Sequence, residues 1–120
     1  MQVSGTLSGS NEVPAVTAAG SGSFMGTYTP STKVLNYTIT YSGLTGPATA
    51  AHLHYGNAKH ATAQPTVPFT GVPSTASGSF GGTVTLNAMQ ADSLMAGRIY
   101  ANIHTTVNGG GELRANLTAK

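Results

Sequence analysis

Four histidines are the only imidazoles in the chain, and three of them fall within nine residues: His52, His54 and His60 in AHLHYGNAKH, with His104 following in YANIHTT. Cysteine is absent and only three carboxylates exist, Glu12, Asp92 and Glu112, so imidazole is nearly the only strong metal ligand on offer. An H-x-H pair on an extended segment turns both rings to one side, because strand side chains alternate faces with a period of two. Imidazole suits zinc, copper, iron and nickel, whereas calcium and magnesium want oxygen. Copper heads the divalent affinity order and needs no carboxylate when three or four imidazoles converge. Zinc, the alternative, would take the same rings with water in an open position. The expected ligands are His52, His54 and His104, with His60 as a candidate fourth, although Lys59 beside it opposes a bound cation. Met25, Met89 and Met95 offer thioethers to Cu(I), but Met89 and Met95 read more simply as the packed face of a short helix.

Two strands must position these rings. Sixteen glycines, six prolines and abundant Thr, Val and Tyr predict many short strands joined by turns, hence an all-β sandwich or barrel. Strands are expected over 3–8, 21–29, 33–41, 48–55, 67–69, 79–86, 98–104 and 112–118. One short helix is expected over 88–96, capped by Asn87 and ended by Gly97. Leu35, Tyr37, Ile39 and Tyr41 form one core wall. On 48–55, Ala51 and Leu53 face the core and His52 and His54 face away. On 98–104, Ile99, Ala101 and Ile103 face the core, which puts Arg98, Tyr100, Asn102 and His104 on the other side. If these two strands lie side by side, three imidazoles meet on their non-core faces. Tyr55 and Tyr100 would then lie near them.

The remaining composition excludes several classes. At 120 residues the chain reads as one domain over 1–120. Only 7% of residues are charged, and the five Lys/Arg are scattered, so a nucleic-acid footprint is missing. No apolar run reaches the ~20 residues of a membrane helix. Met1 leads into QVSGTLSG without a basic n-region or apolar stretch, so no signal peptide is expected in this chain. The three carboxylates form no Ser-His-Asp pattern, and NGGGE lacks the lysine and strand-to-helix context of a phosphate loop.

LSGSNEVPAV, LNYTITYSGLTGPATAAHLH and LNAMQADSLMAGRIYANIHTTVNGGGELRANL, in that order, resemble the CHRD domain, the module named for its occurrence in chordin. That pattern is in turn similar to copper/zinc superoxide dismutase. The resemblance implies a Greek-key β-sandwich or barrel and an exported parent, extracellular or periplasmic. It matches His52 and His54 to the copper-holding H-x-H, His104 to the later-strand histidine, and Arg114 to the arginine that stands beside the copper and attracts superoxide. His60 would stand in for the bridging histidine. A separate zinc site is not implied, since residues 56–73 hold only His60 and no carboxylate. Three functions stay open: mononuclear copper binding with superoxide or a copper donor or acceptor protein as partner, superoxide dismutase-like catalysis, and an adhesive extracellular module in which the histidines are incidental.

Overall fold

The computed structural model describes residues 1–57, 60–62 and 65–120. Among them nine strands and one helix follow in the order β1 (Gln2–Ser8), β2 (Ser21–Thr29), β3 (Val34–Ser42), β4 (Ala48–Tyr55), β5 (Pro65–Pro68), β6 (Gly78–Thr85), α1 (Ala88–Met95), β7 (Ile99–Thr105), β8 (Leu113–Asn116) and β9 (Thr118–Ala119). All pair antiparallel in one sheet, in the order β5-β4-β7-β8-β1-β2-β3-β6, with β9 beside β1. The β3–β4, β5–β6 and β6–β7 connections cross between the two halves, so that β6 returns beside β3 and β7 beside β4, the crossing pattern of a Greek key.

The sheet rolls around its inward face. Phe24, Leu35 and Ile39 from one half share a core with Leu53, Ile99, Ile103 and Leu113 from the other. Burial of each such side chain contributes on the order of 1.5–3 kcal/mol. Phe69, just past β5, stacks 4.6 Å from Tyr37 and 5.9 Å from Phe80 on β6. The two outermost strands thus close on each other through aromatic rings.

Two expectations are corrected. The strand foreseen over 112–118 is two strands, because the chain changes partner at Leu117: β8 pairs with β7, whereas Thr118 and Ala119 pair with Ser4 and Val3 of β1. Helix α1 turns Gln90, Ala91 and Leu94 inward, leaving Met89 and Met95 67% and 49% exposed rather than packed. The cause is the capping box. Gln90 bonds reciprocally with Asn87 and also donates its Nε2 to Thr66, which fixes the rotation of an eight-residue helix.

The strands that carry the histidines are fixed at one end by Glu112. Its buried carboxylate accepts from the backbone N–H and hydroxyl of Thr45 in the β3–β4 connection, from Thr105 at the end of β7, and from Asn108 in the β7–β8 turn. Burial pushes the carboxyl up, but these four donors outweigh it and hold it below its ordinary value. The stabilisation is accordingly present above the usual carboxylate range and is lost as pH falls through it. Glu112→Ala strands those donors and should lower unfolding stability by about 3 kcal/mol, read from the denaturant midpoint at pH 7. A midpoint equal to wild type would show that this anchor carries no weight.

Candidate metal centre

β4 and β7 lie side by side, with His52 opposite Asn102, His54 opposite Tyr100 and the small Ala50 opposite His104. A ring at position 104 therefore has room to lean diagonally toward His52. The ring centroids of His52 and His104 are 4.9 Å apart, those of His52 and His54 5.5 Å, and those of His54 and His104 6.1 Å. One nitrogen from each ring lies within 4.8 Å of the others. Nitrogens bound to one ion at ~2.0–2.1 Å stand roughly 3–4 Å apart, so an adjustment of about an ångström gathers them.

The hydrogen bonds set the tautomers. His54 Nδ1 lies 2.9 Å from the carbonyl of Thr62, and His104 Nδ1 lies 2.9 Å from the carbonyl of Gly109. A carbonyl only accepts, so each Nδ1 carries the proton and each Nε2 keeps its lone pair. His52 Nδ1 then donates across 3.1 Å to His104 Nε2. Metal-bound histidines characteristically donate their second ring N–H to a carbonyl or carboxylate, and two of these three do so. His54 Nε2 is buried without a partner. Burial lowers the His54 and His52 pKa values, and the neighbouring imidazoles add to the effect, while the Thr62 carbonyl and the Asn102 side chain partly offset it at His54. These two rings are thereby held toward the neutral form, the one that ligates.

The face that alternation marks as non-core is itself covered. Tyr100, Asn102 and Arg114 are all buried, under Gly56, Asn57, His60 and Thr62 on one side and the segment through Glu12 on the other. Tyr100 stacks on His54, 5.0 Å between centroids and 4° from parallel, and its hydroxyl donates to the Thr62 carbonyl. Arg114, 0% exposed, sets its guanidinium 3.6 Å from the centre of the Tyr100 ring. Its Nε donates to Asn116 and its Nη2 to the carbonyls of Asn57 and His60. It is not an exposed strand arginine, nor is it paired with Glu112, whose carboxylate is taken up by Thr45, Thr105 and Asn108. Gly56 completes this cover at close quarters. A Cβ there would stand 2.5 Å from the His60 carbonyl oxygen and 2.7 Å from the Tyr100 ring.

His60 stays apart from the cluster. Its ring is exposed and bonds to the side chain of Asn57 at 3.0 Å, and its backbone is what reaches the site, as an acceptor for Arg114. Lys59 lies outside the described residues. Tyr55 packs against the core rather than on the cluster, and Met25 is exposed on β2.

Nothing in the alternation or spacing marks Glu12, yet it belongs to this region. It lines a cleft of about 400 Å³ with Val13, His54, Thr62, Tyr100 and His104. Glu12 is 9% exposed, and burial raises its carboxyl to about 7 against the pull of Arg114. Glu12 Oε2, His54 Nε2, Asn102 Oδ1 and Arg114 Nη1 are the buried side-chain atoms without a hydrogen-bond partner among the described residues. Unsatisfied buried groups are rare in folded proteins and concentrate where something binds. The one local signal was glycine: at Gly111, with φ 122°, a Cβ would meet Glu12 Oε2 and Asn102 Nδ2, each at 2.6 Å.

Neither a curated protein nor a solved structure matches the chain. The family model of the CHRD domain matches residues 3–117, a span that takes in both histidine strands, the Glu12 segment and Arg114. On that match the chain belongs to the CHRD domain family.

Proposed function

We propose that this CHRD domain binds a single copper ion through His52 Nδ1, whose proton moves to Nε2 when the metal replaces the bond to His104, and through His54 Nε2 and His104 Nε2, in a protein that is exported from the cytoplasm. The observation that carries the reading is the convergence of three imidazole rings, two of them oriented by backbone carbonyls so that their lone pairs turn to the cluster. An all-imidazole set without a carboxylate suits copper, and zinc is the competitor. Copper, when bound, supplies one-electron redox chemistry. The chain itself holds the ring of His54 between the Thr62 carbonyl and the face of Tyr100, keeps water from that side, and leaves His54 and His104 open to the cleft. That opening is also what favours the second reading, dismutase-like turnover of superoxide.

Arg114 fits the first reading as a positioning residue. Its Nη2 fastens residues 57 and 60, and the same loop presents Thr62 to His54 and Tyr100. Arg114→Lys cannot reproduce a planar fork stacked on a ring. It should therefore lower copper affinity roughly 10–100-fold, the usual effect of losing an outer partner of a ligand. Unchanged copper affinity combined with a loss of salt-dependent anion association would instead make Arg114 an electrostatic guide.

Titration of metal-free protein with Cu(II), followed by absorbance and paramagnetic resonance, should saturate at one equivalent. His54→Ala and His104→Ala should each weaken binding by more than about a hundredfold, beyond what an outer partner costs, while His60→Ala stays within about threefold of wild type. Equal losses for His60→Ala and His104→Ala would refute the three-ring site. A tighter and saturating response to Zn(II) than to Cu(II) would reassign the metal. Stoichiometric copper without superoxide decay would leave binding or delivery as the function.

Acid acts on the imidazoles and on Glu12 in opposite directions. The pKa values of His52 and His54 lie below the ordinary imidazole value, so between that value and the lower folded ones the unfolded chain binds protons that the folded chain refuses. The raised Glu12 carboxyl takes up a proton in the folded state over the same range, so the imidazole contribution, lost below about 6.5, is read as a difference: acid should be less favourable to metal-free wild type than to His54→Gln. Urea midpoints at pH 7.5 and 5.5 measure it, and equal pH dependence in the two proteins would contradict the burial argument.

A further inference from the structure

The cleft above the histidines has a second polar wall. Glu12 faces His54 and His104 across it, and its Oε2 is buried with no hydrogen-bond partner. The charged and titratable groups around that carboxyl are Arg114, Tyr100, His54 and His104. Arg114 sees Glu12 electrostatically, but no bond joins them, and its Nη2 and Nε are engaged by carbonyls and by Asn116. The Tyr100 hydroxyl is engaged by Thr62. His54 and His104 direct their N–H groups away, to Thr62 and Gly109. The cleft therefore presents a free acceptor on one side and imidazole lone pairs on another, with no free N–H or cation from these side chains apart from the buried Nη1 of Arg114.

We propose that Glu12 is a ligand-binding residue of this cleft, receiving the N–H or O–H end of a small neutral ligand whose opposite lone pair reaches the metal held by the imidazoles. The cleft thereby selects proton-bearing neutral ligands over bare anions. This rests on the metal reading above and adds the class of ligand to it. A volume of about 400 Å³ lies within the ~300–1,000 Å³ of small-molecule sites, well beyond what a diatomic anion fills. An unpaired buried acceptor carries a desolvation cost that a donor from the ligand removes. An anion brings no donor, and its charge meets the carboxylate unscreened. Gly111 leaves room for the Glu12 carboxyl, since a Cβ there would stand 2.6 Å from Glu12 Oε2 and from Asn102 Nδ2.

Imidazole and azide are suitable probes, one a neutral ring with a lone pair and an N–H on opposite sides, the other an anion without a proton. Copper affinity is measured first on wild type, Glu12→Gln and Glu12→Ala. The two probes are then titrated into each copper-loaded protein at pH 8, where the Glu12 carboxyl is ionised, and followed by the copper absorption and paramagnetic spectra. The preference of wild type for imidazole over azide should fall roughly tenfold in Glu12→Ala, the worth of one hydrogen bond to a charged group. It should fall less in Glu12→Gln, whose amide oxygen still accepts and whose size preserves the fold if the alanine variant is unstable. A merely structural Glu12 would shift melting temperature without moving this ratio. An unchanged ratio with copper affinity intact overturns this inference alone, whereas a wild-type protein that takes up no copper overturns the metal reading and this inference together.

Discussion

A guanidinium removed from water needs acceptors and a matching surface, and the outer face of β4, β7 and β8 is arranged around that requirement at Arg114. Losing the hydration of a cation costs several kcal/mol even after relaxation. Here the flat faces of Tyr100 and the guanidinium meet at 3.6 Å, Asn116 accepts from Nε, and two loop carbonyls accept from Nη2. Tyr100 carries the contacts onward to the histidines. Tyr100 stacks on His54 and bonds Thr62, and Thr62 accepts from His54. The position of one imidazole is thus determined by a chain of contacts that begins at a residue on another strand, which is how a short loop with few apolar side chains is kept against the sheet.

The same chain explains which parts of the protein are legible in its sequence. Strands β2, β3 and β4 announce themselves because each alternates against one core: Leu35, Tyr37, Ile39 and Tyr41 are buried and Asn36, Thr38 and Thr40 are exposed, as a period of two requires. The three clustered rings are legible for the same reason, since H-x-H on β4 and His104 on β7 share the face opposite Leu53 and Ile103. Alternation fails at β7, where Tyr100 and Asn102 are buried as thoroughly as Ile99 and Ala101. A polar residue facing away from the core reads as exposed unless something covers it. The cover comes from Gly56, Asn57, His60 and Thr62 and from the Glu12 segment, all without periodicity, so the burial of Arg114 and of Glu12 leaves no trace in spacing.

Helix α1 shows a different limit. Met89, Leu94 and Met95 predict a packed stripe by hydrophobicity, yet only Leu94 packs. In eight residues a stripe of three side chains exerts less control than a terminal hydrogen-bonded box, and Gln90 serves both as the box partner of Asn87 and as the bond to Thr66 on β5. A polar residue decides the rotation. The methionines then sit outside, on a surface that carries few charges.

The scarcity of carboxylates sharpens the chemistry of the site. Asp92 is exposed on the helix, and Glu112 is committed to four donors that tie the β3–β4 connection to the β7–β8 hairpin. Glu12 alone remains buried near the imidazoles with an oxygen unused. Were it a ligand, the set would become mixed nitrogen and oxygen and copper would lose much of its advantage over zinc. The described residues group three histidines and no carboxylate within ligand distance, so Glu12 stands outside that group and inside the cleft. There its charge acts on whatever enters. The superoxide-attracting role that the dismutase resemblance lends to Arg114 requires an accessible cation, and in this chain Arg114 is fully buried while the cleft is lined by an acid with an unpaired oxygen.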